Sequence, residues 1–150
     1  MQKLTMGEAE FRNLAHAVGG LELFASFKGA ELDLLLAHVQ LFEFSSGETI
    51  FTKGQRPDAF YIIDQGRVAI RFKSGLFWLF RKVRVLGESN LFGEMALLEN
   101  RPHSGTAIAR GRVRLFVVLR EDFEKIVRSN PAFAQHMRWI ASNREFEKRH

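Results

Sequence analysis

The sequence predicts a mainly β fold with flanking helices: a β-roll of the double-stranded β-helix or jelly-roll type, with N-terminal and C-terminal helices. Three observations predict it. From about Val39 to Leu119, short apolar runs alternate with Gly, Pro, Ser and Asp turn signals. Within that block the run RVAIRFK alternates cleanly, with Val68, Ile70 and Phe72 on one face and Arg67, Ala69, Arg71 and Lys73 on the other. On either side of it the apolar spacing is helical. A chain of 150 residues fits one domain. The expected division is N-terminal helices over 1–38, the roll over 39–119 and C-terminal helices over 120–150.

The elements follow in order. Phe11, Leu14, Ala15 and Val18 fall on one helix face, and Gly19-Gly20 is expected to break that helix. A second short helix carries Leu32, Leu35 and Leu36, with Glu31 and Asp33 near its start, where carboxylates suit the helix dipole. A strand then closes at Ser45-Ser46-Gly47, and Thr49-Ile50-Phe51 is the next. A polar turn from Gly54 to Asp58 precedes a buried strand, Ala59 to Ile63. Asp64-Gln65-Gly66 is expected to turn the chain into RVAIRFK. Val83 and Val85 mark another strand, and Val113, Leu115, Val117 and Leu119 a last one of period two. Glu121 to Ser129 and Ala132 to about Arg149 read as helices interrupted at Asn130-Pro131, the second with Phe133, Met137 and Ile140 as its apolar stripe.

Composition narrows the function. Apolar residues make up 46% and charged residues 26%, which suits one buried core. Phe, at 15, far outnumbers Tyr and Trp and is read as core filling that needs no hydrogen-bond partner. There is no Cys, so disulfides, Cys-ligated zinc and a Cys nucleophile are excluded. The five His are scattered without an H-x-H pair, and no G-x-S-x-G elbow is present, so neither a metal site nor an enzyme is expected. No signal-like segment and no stretch of roughly 18 apolar residues occurs, which points to the cytoplasm. The net charge of +5 suits an anionic ligand, a nucleic acid or an acidic surface, or general solubility. The basic residues are spread out, so no nucleic-acid arm is expected.

The segment SNLFGEMALLENRPHSGTAIA, Ser89 to Ala109, carries the chemistry. Gly93-Glu94 precedes Met95 to Leu98, which can form one helical turn. A helix start presents unpaired N–H groups that favour an anion. Gly93 permits close backbone approach, and Glu94 can accept from a sugar hydroxyl. Arg101, His103, Ser104 and Thr106 follow. On spacing alone, a surface loop capping the barrel is the stronger reading.

The stretch LFGEMALLENRPHSGTAIA resembles the phosphate-binding cassette of the cyclic-nucleotide-binding domain family, here residues 92–106. SSGETIFTKGQRPDAFYIIDQGRVAI is similar to that family's glycine-punctuated strands, with Gly47, Gly54 and Gly66 at the turns. LELFASFKGAELDLLLAHV and REDFEKIVRSNPAFAQHM resemble its opening and closing helices. The resemblance implies a non-catalytic module that binds cAMP or cGMP and signals through movement of its C-terminal helix. It implies Glu94 on the ribose 2′-hydroxyl, backbone N–H groups of Gly93, Met95 and Ala96 on the cyclic phosphate, and Ser104 beside them. Ile70 and Val83 would lie against the base, and Met137 to Ala141 would form a lid.

Two departures stand out. Where the family's cassette has Pro-Arg, this chain has Pro102-His103. Arginine pairs with phosphate through a charged fork of donors, whereas histidine is mostly neutral at pH 7. A hydrogen bond to a charged group contributes about 1.5–3 kcal/mol, so its loss weakens binding roughly ten- to a hundred-fold. Either His103 or Arg101 substitutes, or the site prefers another anion, or the fold is a degenerate site serving as a protein-interaction scaffold. If His103 touches the phosphate, affinity should rise as pH falls from about 8 to about 6. The second departure is Leu76-Phe77-Trp78-Leu79-Phe80, where the family usually has a polar hairpin. Alternate side chains of a strand point opposite ways, so these cannot all be buried in a half-exposed strand. The hairpin either folds back on the domain or meets a homodimer or protein partner; membrane contact is not expected. A transcription factor of the catabolite-activator type would need a helix-turn-helix after the closing helix, so the expectation is a stand-alone module or a piece of a longer chain.

Overall fold

The computed structural model describes residues 1–20, 29–73 and 81–149. The apolar hairpin Leu76–Phe80 lies outside the described residues. Strand β1 (Gln2–Leu4) and helices α1 (Glu8–Gly20) and α2 (Gly29–His38) lead into the roll. The roll comprises β2 (Gln40–Phe44), β3 (Thr49–Phe51), β4 (Ala59–Lys73), β5 (Arg81–Leu86), β6 (Leu91–Phe92) and β7 (Thr106–Leu119). A short helix, α3 (Glu94–Glu99), precedes β7, and α4 (Arg120–Ser129) and α5 (Pro131–Arg149) follow it. The observed architecture is an antiparallel, jelly-roll-like β-roll flanked by N- and C-terminal helices, as expected, but the class is mixed α and β rather than mainly β, because the flanking helices are as extensive as the strands.

The strands pair antiparallel in the order β1-β2-β7-β4-β5, with β3 also on β7 and β6 also on β4. The backbone of this arrangement is the β4/β7 ribbon, which pairs from Ala59↔Leu119 to Arg71↔Thr106. The predicted turn at Asp64-Gln65-Gly66 is not one. The strand runs through it, and the register shifts between Ile63 and Gln65 and again between Gln65 and Arg67. Gly66 takes φ 94°, and a Cβ there would sit 2.5 Å from the Arg112 carbonyl oxygen. The glycine thus marks a bulge that bends the ribbon rather than ending it. Cross-strand pairing with β7 overrides the local turn signal.

The bend lets the same two strands serve two cores. Val113, Leu115 and Val117 of β7 pack with Ile63, Val68 and Ile70 inside the roll. Phe116 and Val118 point the other way and pack with Phe60 and Ile62 against the helices. Both faces of β7 are covered there, so its period-two pattern closes into a continuous apolar run. Phe123 of α4 meets Phe60 edge-on at 5.8 Å and Phe133 of α5 at 6.2 Å. Met137 is buried in that cluster, and Asn130-Pro131 separates α4 from α5 as expected.

Other differences are local. The chain begins with a strand, not a helix, because Gln2–Leu4 adds to the open edge of β2. The buried face of α1 is Leu14, Ala17 and Val18, while Phe11 and Ala15 are exposed. That helix also runs through Gly19 and Gly20 instead of breaking before them. Leu91-Phe92 forms a two-residue strand too short to read from a pattern. Among the described residues no helix is long and apolar enough to cross a membrane.

Candidate functional site

A cavity of about 150 Å³ opens where β3, β4, β5, β6, α3 and the segment leading into β7 meet. The cassette predicted from sequence forms one side of it. Gly93, Glu94, Met95 and Ala96 line it together with Arg101, His103 and Ser104, and Ile70 faces them from β4. Val83 is not brought in: it is 49% exposed on the outer face of β5, one residue from the side chain that does face the cavity. That neighbour is Arg84, the register partner of Ile70, and sequence reasoning missed it. Alternation in the run KVRV could have found it, since choosing Val83 as inward fixes Arg84 outward, and the reverse choice is the one realised. Phe51, Phe72, Leu86 and Phe92 complete an apolar wall. Among the described residues none from α5 lines the cavity; Met137 is in the helical core instead.

The local backbone explains why the segment takes this shape. Gly93 caps α3 with φ 82°, and a Cβ there would lie 3.2 Å from the Tyr61 ring, so only glycine fits both the left-handed conformation and the space. Gly93 has no side chain, so the first turn of α3, which borders the cavity, carries no side-chain cap. Asn100 ends the helix in the left-handed region, and its Oδ1 accepts from Arg120 Nη1 at 3.2 Å. Arg120 also donates to the Pro57 carbonyl, and its N–H donates to the Asp58 carbonyl at 2.8 Å. One residue therefore joins the cassette helix, the β3–β4 turn and the start of α4.

The tail of the cassette lies against that same turn. His103 N–H donates to the Gln55 carbonyl at 3.0 Å, and Gly54 N–H donates to the His103 carbonyl at 2.8 Å. Gly105 follows, where a Cβ would meet the Arg71 carbonyl and Ile70 Cγ2, both at 2.9 Å. His103 is 5% exposed and its ring stacks on Phe51 with centroids 3.6 Å apart and planes within 8°. Burial pushes its pKa below the ordinary value near 6.5; Asp58 opposes that shift and Arg101 adds to it. Burial therefore favours the neutral ring. Arg101 is bonded to Glu99 at the surface. Arg84 has no ion pair among the described residues, and it is exposed at the cavity mouth.

The arrangement combines helix-start donors, one carboxylate, one hydroxyl at Ser104, a neutral imidazole and two guanidinium groups around an apolar wall. Such a set can hold a small molecule that is anionic at one end, hydroxylated in the middle and flat and apolar at the other. Among the described residues no group of three or more His, Asp or Glu could hold a metal ion.

Residues 41–130 match the cyclic nucleotide-binding domain family. The cyclic AMP receptor protein of Thermus thermophilus is 31% identical over 125 residues, which is 83% of this chain and 57% of that protein. The chain thus spans little more than half the length of that relative. Among solved structures, cAMP-bound PfPKA-R is similar with a TM-score of 0.75 and 28% identity, over 83% of this chain and 44% of that one. The sensor domain of the transcriptional regulator DNR from Pseudomonas aeruginosa shares the fold, with a TM-score of 0.75 at 24% identity and 92% of both chains covered.

Proposed function

Because the chain belongs to the cyclic nucleotide-binding domain family, a family of non-catalytic sensor domains, we propose that it is a module that binds cAMP or cGMP in the cavity at α3 and works in the cytoplasm. The observation that carries this reading is the convergence of Gly93, Glu94, Ala96 and Ser104 on one cavity. In it the α3 N–H groups would receive the cyclic phosphate and Glu94 would accept from the ribose hydroxyl. The base would lie on the wall of Ile70, Phe72 and Leu86. Arg84 and Arg101 would supply the positive field that a neutral His103 does not. Movement of α5, which packs on α3, would report occupancy to a partner; this requires the ligand to bind the two helix positions unequally.

Two observations favour a second reading. His103 is buried and stacked where the family's pattern has arginine, and the cavity is smaller than the ~300 Å³ at which small-molecule sites begin. That suits a scaffold that keeps the fold without the ligand.

Isothermal titration with cAMP and cGMP, with Glu94→Ala as the paired variant, separates the two. Binding that weakens by roughly ten-fold or more in the variant supports the sensor. Absence of heat and of any melting-temperature rise with either nucleotide leaves only the scaffold.

A further inference from the structure

We propose that the groove between α3, α4 and α5 is a docking site for an acidic segment of a partner protein that carries a large apolar side chain between its carboxylates. The groove encloses about 430 Å³. Helix α3 gives its first residues to the nucleotide cavity and Leu97, Leu98 and its C-cap Asn100 to this one. The floor is apolar: Phe123 and Ala134 are buried, while Leu98 and Val127 line it half-buried.

The rim is cationic. Arg56 comes from the β3–β4 turn, Arg128 from the end of α4 and Arg138 from α5. All three are exposed, and among the described residues none of them is in an ion pair. Arg120, by contrast, is committed to Pro57, Asn100 and Glu124. Glu124 is the one acid lining the groove among the described residues. The three available guanidinium groups therefore project from three different elements around one apolar floor.

That geometry selects the occupant by charge complementarity. A bilayer or a nucleic-acid duplex would meet the rim but leave the concave apolar floor empty. A peptide can set a Leu or Phe side chain on the floor and carboxylates against arginines on either side. Arginine forks match carboxylates bidentately and are enriched among residues that dominate interface affinity. The net charge of +5 steers an acidic partner toward the chain.

The test is selection of a random phage-displayed dodecapeptide library on the full chain without nucleotide, counter-selected on R128E/R138E. The consensus peptide is then synthesised and titrated by fluorescence anisotropy. The expected result is a consensus that joins Asp or Glu to Leu, Phe or a similar residue. Its affinity should fall by at least about ten-fold in R128E/R138E, by less in R128Q/R138Q, and by no more than about two-fold in R67E/R110E, which makes the same change in net charge at two exposed residues of β4 and β7. The neutral pair keeps the question open to measurement if the reversed pair folds poorly. No enriched peptide, a consensus without acids, or equal losses in the groove and control variants overturns the proposal. So does tighter groove-dependent binding of phosphatidylglycerol vesicles or of duplex DNA run alongside. Nucleotide is absent throughout, so either result leaves the nucleotide reading where it stands.

Discussion

His103 shows how one residue changes the chemistry of a site without changing its outline. Its backbone is fixed to Gln55 and Gly54, and its ring is fixed to Phe51. The folded chain binds fewer protons there than the unfolded chain, because burial depresses the pKa below about 6.5. Its contribution to stability is full above that value and is lost as pH falls through it. Melting temperature should drop between about pH 7.5 and pH 5.5, and the drop should be shallower in His103→Gln. An anionic ligand favours the protonated ring, so affinity for cAMP should rise over the same fall in pH. Equal affinities at about pH 8 and pH 6 would take His103 out of the phosphate contact. Restoring the charged fork with His103→Arg should tighten binding by roughly ten- to a hundred-fold at pH 7, read by titration calorimetry. Sequence reasoning found the residue but not its setting: a polar loop gave no sign that Phe51, about a third of the chain away, would stack on it.

At the scale of elements, α3 and its flanking turns were legible and the long strands were not. Gly93 followed by an apolar turn read as a helix start, and α3 begins at Glu94. Its dependence on glycine gives a direct prediction. Gly93→Ala must hold a side chain at φ 82° against Tyr61, which should cost about 1–2 kcal/mol and lower the melting temperature by several degrees. A variant that melts with the wild type would show that the turn relaxes freely. The misread element was β4. Asp64-Gln65-Gly66 is turn chemistry by local rules, yet the pairing partner that keeps the strand going is some fifty residues downstream in β7. Long-range pairing leaves no trace in a local window. The β5 face was misassigned for a related reason, since Lys82, Val83, Arg84 and Val85 alternate equally well in either register.

For the whole molecule, the β-roll, the order of helices and roll, and the closing interruption at Asn130-Pro131 were all readable, because amphipathic periods and turn residues are local properties. The existence of two cores sharing one ribbon was not. That sharing predicts that the two cores unfold as one cooperative unit. Phe133→Ala removes a fully buried ring from the helical core and should cost about 3–5 kcal/mol. Thermal unfolding followed by far-ultraviolet and near-ultraviolet circular dichroism should still give one coincident transition. Two separated transitions would mean that the helices and the roll melt independently.

The joint at Arg120 has a mechanical consequence. The first residue of α4 is pinned on three sides, to Pro57, Asp58 and Asn100. That end of the helix cannot travel unless the β3–β4 turn and the end of α3 travel with it. The compliant point lies further along, at Asn130-Pro131, where a ring replaces an amide donor and the Asn130 backbone leaves the helical region. The C-terminal swing proposed above would therefore pivot there, with α4 as the anchored post and α5 as the boom.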